Sequence, residues 1–74
     1  MLERSFHDEM ADFVRQFSFD LEFEKYQYNL KRYSRDDLRI DLWGSGTLGI
    51  YRDGKQEFHK NLSRAEMKER IANL

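Results

Sequence analysis

Few side chains in this protein are of the types that enzymes and metal sites use. There are two histidines, His7 and His59, and no cysteine. Because a structural zinc site needs several converging sulfur or nitrogen ligands, we expect no metal and no other cofactor. We place His7 on the wet side of a helix and His59 on the outward face of a strand, each as an exposed or hydrogen-bonded imidazole.

The glycine-rich stretch from Gly44 to Gly49 is the one segment that suggests phosphate binding. It lacks the Lys-Ser/Thr ending of a P-loop, and it leads into a strand where a helix N-terminus would be needed. Its glycine spacing is more typical of a hairpin turn. Serine, histidine and aspartate are all present, but nothing resembles a nucleophile elbow. We therefore expect a protein that is not an enzyme.

Aromatic and cationic side chains supply the remaining chemistry. Strand alternation places Arg39 and Trp43 on one face, and the register brings Tyr51 opposite Arg39 and Lys55 beside Tyr51. His59 follows on the next strand. The candidate partner-binding residues are therefore Arg39, Trp43, Tyr51, Lys55 and His59.

Three uses of this face remain open. An exposed aromatic with charged neighbours is typical of a protein-binding hot spot. Rings with nearby cations also form a stacking platform for single-stranded nucleic acid, although Asp41 and Glu57 share the face and repel phosphate. The third use is structural, with the rings packed across strands or beneath the second helix. Because the net charge is −1, we rank this structural use above nucleic-acid contact.

The alternation of apolar residues in 38–43 and 47–52 predicts two strands that share one buried face. A three-residue loop between the strands pairs Leu42 with Leu48 and keeps both on that face. A two-residue loop would set Leu42 against a glycine and split the core.

Asp53-Gly54 is the strongest turn signal in the chain, and it predicts a returning strand over 55–60. The same parity reasoning predicts a three-residue loop, 52–54, that pairs Leu48 with Phe58. Its glycine would then adopt the left-handed conformation.

The segment 18–33 has a less regular pattern. Its apolar residues change strand parity partway, with Leu21 and Phe23 on one parity and Tyr26, Tyr28 and Leu30 on the other. A single strand over about 24–33, preceded by a loop or a bulge, accommodates the change. A loop at 34–36 then pairs Leu30 with Ile40.

In the sequence, one amphipathic helix precedes these strands and a second follows them. The first has apolar residues at helical spacing: Leu2, Phe6, Met10, Phe13, Val14 and Phe17. The second begins at Ser63, with Glu66 as its capping-box partner. The expected fold class is α+β, with a four-stranded antiparallel meander between two helices (αββββα) and both helices on one face.

Length and composition predict one α+β domain over residues 1–74, of marginal stability unless packing is good or a partner contributes. An unpaired strand edge leaves a homodimer open as one remedy. The first residues lack the apolar core of a signal peptide, and no apolar run has the length of a membrane span. We therefore expect a cytoplasmic protein.

Residues 53–63, which read Asp-Gly-Lys-Gln-Glu-Phe-His-Lys-Asn-Leu-Ser, resemble a hairpin-to-helix segment of phage-encoded inhibitors of uracil-DNA glycosylase. The resemblance covers about a seventh of the chain. It implies a small protein that acts by occupying another protein's surface. The first hypothesis is therefore a phage or mobile-element inhibitor or adaptor, and the alternative is a single-stranded nucleic-acid-binding protein.

Overall fold

A computed structural model describes residues 5–74 as two helices and a five-stranded antiparallel sheet of order β1-β2-β3-β4-β5. The α+β class is confirmed, but the sheet has five strands rather than the expected four. The elements in chain order are α1 (Phe6–Arg15), β1 (Asp20–Lys25), a 3-10 turn (Gln27–Asn29), β2 (Leu30–Arg35), β3 (Leu38–Trp43), β4 (Thr47–Arg52), β5 (Lys55–Asn61) and α2 (Arg64–Ala72).

The additional strand is β1, and the prediction of one strand over 24–33 is wrong. The chain reverses in the 3-10 turn, where Tyr28 and Asn29 have φ angles of +66° and +49°. The change of parity in this segment therefore marks a hairpin. Leu21 and Phe23 alternate with acidic residues along β1, but all six residues of the strand are exposed, so this alternation does not mark a buried face.

The register between β3 and β4 is the expected one, with Leu42 opposite Leu48 across a three-residue loop. The next turn differs from expectation. Asp53 and Gly54 form a two-residue turn with φ angles of +52° and +78°. Two positive φ angles are typical of a type I′ turn, whose twist matches that of the strands. A bulge then leaves Glu57 unpaired, so that Phe58 lies opposite Ile50 instead of Leu48.

The β2–β3 register also differs from expectation. A two-residue turn at 36–37 pairs Arg35 with Leu38, and Tyr33 instead of Leu30 lies opposite Ile40. Tyr33 is 1% exposed, so its ring fills the place in the core that we assigned to Leu30. Leu30 instead lies opposite Trp43.

Both helices pack on one face of the sheet, as the sequence predicts. Ser5 caps α1 by accepting a hydrogen bond from the backbone N–H of Asp8, and Ser63 and Glu66 form the expected capping box of α2. Leu2 lies outside the described residues. The helices and the sheet share one buried cluster, which includes Met10, Val14, Met67 and Ile71 from the helices and Leu38, Ile40, Leu42, Leu48 and Ile50 from the sheet.

His7 is buried, whereas we expected it on the solvent-exposed side of α1. Its Nε2 atom lies 2.6 Å from the carbonyl oxygen of Asn29, and the backbone N–H of Gly44 donates to the same oxygen at 3.1 Å. Since a carbonyl oxygen only accepts, Nε2 carries the hydrogen. His7 therefore ties α1 to the turn between β1 and β2.

Both edge strands of the sheet carry a bulge at a glutamate that precedes a phenylalanine. Glu22 is unpaired before Phe23 in β1, and Glu57 is unpaired before Phe58 in β5. A bulge interrupts the ladder that another strand would extend, and charged side chains on an edge oppose pairing further. The two edges therefore disfavour sheet extension by a second copy of the chain.

The two helices are joined by charge as well as by apolar packing. The carboxylate of Glu9 in α1 accepts hydrogen bonds from Arg64 at 2.7 Å and from Lys68 at 2.5 Å, both in α2. The bond from Lys68, and then that from Arg64, lower the pKa of Glu9 below its ordinary value. Neither helix is long and apolar enough to cross a membrane, in the part of the chain described.

The lowered pKa of Glu9 predicts a loss of stability in acid. The stabilising contribution of Glu9 is fully present above its unfolded pKa, about 4.3, and is lost as the pH falls through the lower folded pKa. In Glu9→Gln, the free energy of unfolding should depend less on pH below about 5. Urea unfolding at a series of pH values measures this, with Glu69→Gln on the exposed side of α2 as the control. Equal pH dependence in wild type and Glu9→Gln would contradict the prediction.

Candidate interaction surface on the outer sheet face

The face of the sheet that points away from both helices is called the outer face here. The strand registers place one residue from each strand in a single row across this face. From one edge to the other the row is Phe23, Arg32, Asp41, Gly49 and His59. Trp43 and Tyr51 lie two residues from this row, on β3 and β4, and their rings approach Gly49.

Three rings gather around Gly49 at the centre of β4. A Cβ atom on Gly49 would lie 3.2 Å from the Trp43 ring and 3.3 Å from the Tyr51 ring. The centroids of Trp43 and His59 are 5.2 Å apart, with the rings nearly perpendicular at 73°. The absence of a side chain at Gly49 thus allows Trp43 and Tyr51 to close over the backbone, and His59 continues the group.

Arg39 extends this aromatic group toward the β2 side. Its guanidinium carbon lies 3.9 Å above the centroid of the Tyr51 ring, which is cation–π geometry. The Tyr51 hydroxyl donates to Gln56 at 3.2 Å and so holds the ring from the other side. We call Arg39, Trp43, Tyr51 and His59 together the outer-face cluster.

Asp41 is the buried charge of this face, with 2% of its side chain exposed. Arg32 donates to both carboxylate oxygens, at 2.8 Å from Nε and 3.3 Å from Nη2. These hydrogen bonds raise the pKa of Arg32 above its ordinary value. Arg39 approaches the same carboxylate at 3.6 Å, and its buried Nε atom has no hydrogen-bond partner. Two guanidinium groups therefore enclose one carboxylate.

The two acidic residues that we expected to repel phosphate are both paired. The carboxylate of Asp41 is covered by Arg32, as described above. Glu57 lies in the bulge of β5 and accepts a hydrogen bond from Arg52 at 2.8 Å. The negative charge that this face presents to a ligand is therefore smaller than the sequence suggests.

Four of the five candidate binding residues come together on the outer face, and Lys55 does not. The two-residue turn places Lys55 opposite Arg52 and Gln56 opposite Tyr51, so the expected position of Lys55 beside Tyr51 is wrong. His59 lies opposite Gly49. Two outer-face residues that sequence reasoning missed are Phe23 and Arg32. The parity change within 18–33 was the available signal for both, because it marks the hairpin that carries them.

Residues 5–74 contain no group of three or more histidine, cysteine, aspartate or glutamate side chains that could hold a metal ion. In comparisons with known proteins, no family model, no curated protein and no solved structure matches the chain.

The enclosure of Asp41 predicts a specific pattern of stability changes. Asp41→Leu should destabilise the fold by about 1–3 kcal/mol, because it leaves Arg32 and Arg39 close together without a counter-charge. The double variant Asp41→Leu with Arg32→Met should lose less, since only Arg39 is then left without a counter-charge. Urea unfolding of the single and double variants measures the coupling. Additive losses would show that the two side chains do not act as a pair.

Proposed function

We propose that this protein is a small non-catalytic interaction module that binds a partner protein through the outer-face cluster. In this role it is an inhibitor or adaptor of the kind that phages and mobile elements encode, and it acts by occupying the partner's surface. One observation supports the proposal above the others. Trp43, Tyr51 and Arg39 form one continuous group on a sheet face that neither α1 nor α2 covers.

The composition of the cluster favours protein binding. Tryptophan, tyrosine and arginine are the residues most enriched in binding hot spots, where a few side chains supply most of the affinity. The Arg39 side chain is already held by the Tyr51 ring and by Asp41. A side chain that is ordered before binding loses less entropy when the complex forms. The cluster is therefore preorganised for contact.

The same geometry favours binding over catalysis. The His59 ring contacts Trp43 edge to face, whereas a catalytic histidine is normally oriented by a hydrogen bond to a third group. Arg39 is stacked on a ring. The cluster offers shape, apolar area and positive charge, which are the properties of a recognition surface.

The variant Trp43→Ala should separate binding from folding. Because Trp43 is only partly buried, we expect its stability loss to stay below about 2 kcal/mol, less than the 3–5 kcal/mol typical of a core aromatic. Affinity capture from the native host, followed by mass spectrometry, should recover a partner with wild type and lose it with Trp43→Ala.

Lys55→Ala is the matched control, because Lys55 is exposed but lies off the outer face. It should recover the same partner as wild type. Equal recovery with Trp43→Ala, or a stability loss as large as that of a core residue, would contradict the proposal.

A second candidate function is single-stranded nucleic-acid binding by the same face. The pairing of Asp41 with Arg32 favours it, since this pairing removes part of the expected repulsion of phosphate. Trp43, Tyr51 and His59 would then stack on bases.

A titration with labelled single-stranded oligonucleotide at low and moderate salt tests this alternative. If the alternative is correct, binding should appear at low salt, weaken steeply as salt is added and be lost in Trp43→Ala. Absence of binding at low salt would eliminate it and leave the protein-binding proposal in place.

A further inference from the structure

The large hydrophobic side chains that the described chain exposes are concentrated in one place, β1 and the turn that follows it. Leu21 is 45% exposed, Phe23 44%, Tyr28 70% and Tyr26 fully exposed. We call this the β1 surface. Phe23 is also the end of the row that crosses the outer face, so the β1 surface adjoins the proposed binding face.

Carboxylates stand among these apolar side chains. Asp20, Glu22 and Glu24 alternate with Leu21 and Phe23 along β1. Glu24 pairs with Lys31 at 3.4 Å, whereas Asp20 and Glu22 form no ion pair within residues 5–74. Arg32 lies 5.2 Å from the centroid of the Phe23 ring, and its charge interacts with that of Glu22 without a direct ion pair. The β1 surface therefore presents exposed rings beside two carboxylates, Asp20 and Glu22, that have no direct ion pair within residues 5–74.

Rings and carboxylates together recognise cationic side chains, through cation–π contact and charge-assisted hydrogen bonds. The protein uses this chemistry within its own fold. A lysine or arginine lies within 6 Å of the ring centroid of Phe6, Phe13, Phe19, Phe23, Tyr28, Tyr51 and Phe58. Tyr26 is the fully exposed ring.

We propose that the β1 surface binds a basic, extended segment of the partner protein. Arginine or lysine side chains of that segment would pair with Asp20 and Glu22, and their stems and apolar neighbours would cover Phe23 and Tyr26. The inference rests on the proposed function and adds to it the chemistry of the partner.

In the register that stacks the two Phe23 rings, charge argues against a second copy of this chain as the occupant. An antiparallel pairing of two β1 strands with Phe23 opposite Phe23 would set Glu22 of each chain opposite Glu24 of the other. Like charges directly opposite one another destabilise a strand pair, and the bulge at Glu22 interrupts the ladder. A basic segment carries the opposite charge, and contacts made through its side chains do not require a continuous backbone ladder.

The test uses two short synthetic peptides, one of alternating arginine and valine and one of alternating glutamate and valine. Each is added to the uniformly ¹⁵N-labelled protein, and amide chemical shifts are followed by NMR. The basic peptide should shift the amides of 20–28, and the acidic peptide should leave them unchanged. Glu22→Lys should weaken binding of the basic peptide by roughly tenfold, because it replaces an attraction by a repulsion.

Glu69→Lys is the matched control, because it makes the same change of charge at an exposed position on α2. It should change the affinity less than about twofold if binding is local. Equal weakening by the two variants, shifts that spread over the whole surface, or no shifts with the basic peptide would overturn the inference. So would a wild-type dimer in sedimentation velocity whose dissociation constant Glu22→Lys changes and Glu69→Lys does not, because it would identify a second copy as the occupant.

Failure of this inference is distinguishable from failure of the proposed function. If Trp43→Ala loses the host partner while Glu22→Lys retains it, the outer-face cluster binds and the β1 surface does not. If the basic peptide binds 20–28 but Trp43→Ala retains the partner, the β1 surface is a basic-segment site and the outer-face cluster is not the contact. Loss of the partner in both variants supports both.

Discussion

The structure depends on the burial of one apolar face of β3 and β4 against both helices. Leu38, Ile40 and Leu42 alternate along β3, and the three-residue loop keeps Leu48 and Ile50 on the same side. All five have exposures of 5% or less. Within residues 5–74 the buried apolar side chains form one core cluster, and both α1 and α2 contribute to it. Neither helix covers the outer face, so its side chains must be ones that are stable in contact with water.

The side chains of the outer face are held in place although they form no second hydrophobic core. Its rings pack over the backbone of Gly49 and against cations, and its one buried carboxylate, Asp41, is enclosed by two guanidinium groups. Such contacts are individually weak at a surface, but together they hold the side chains in fixed positions. A recognition surface needs side chains that are ordered before binding, and the fold provides such side chains on this uncovered face.

The alternation of apolar residues predicted the register between the central strands β3 and β4 correctly, and it failed for the strand pairs nearer the edges of the sheet. Between β3 and β4 the buried face determines the register, because a slip of one residue would expose Leu42 and Leu48. In β1 the apolar residues alternate with acidic ones, but no face is buried, so the alternation does not determine the register of that strand. Between β4 and β5, parity alone fits both a three-residue loop and a two-residue turn with a bulge. The twist of the strands favours the second, and this preference is not visible in the hydrophobic pattern.

The candidate site residues divide in the same way, into those whose positions the central strands determine and those whose positions depend on the outer strands and turns. Arg39, Trp43, Tyr51 and His59 were identified because they lie on or next to the well-determined strands β3 and β4. Lys55 was misplaced by the turn, and Phe23 and Arg32 were missed because their hairpin was not recognised. His7 was misplaced because helical periodicity places a residue on one side of the helix but does not reveal that Asn29 receives its hydrogen bond there. Contacts that depend on non-local registers were therefore the ones that sequence reasoning could not supply.

Binding through the outer-face cluster requires that Trp43 lies on an open sheet face of the isolated protein. Trp43 is the one tryptophan in the chain, so its fluorescence reports on this face alone. Acrylamide quenching of the purified protein measures its accessibility. We expect the quenching constant to be a substantial fraction of that of a free tryptophan derivative, and to fall when the partner binds. A blue-shifted emission that acrylamide does not quench, in the protein without a partner, would show that Trp43 is covered and would contradict binding through the outer-face cluster.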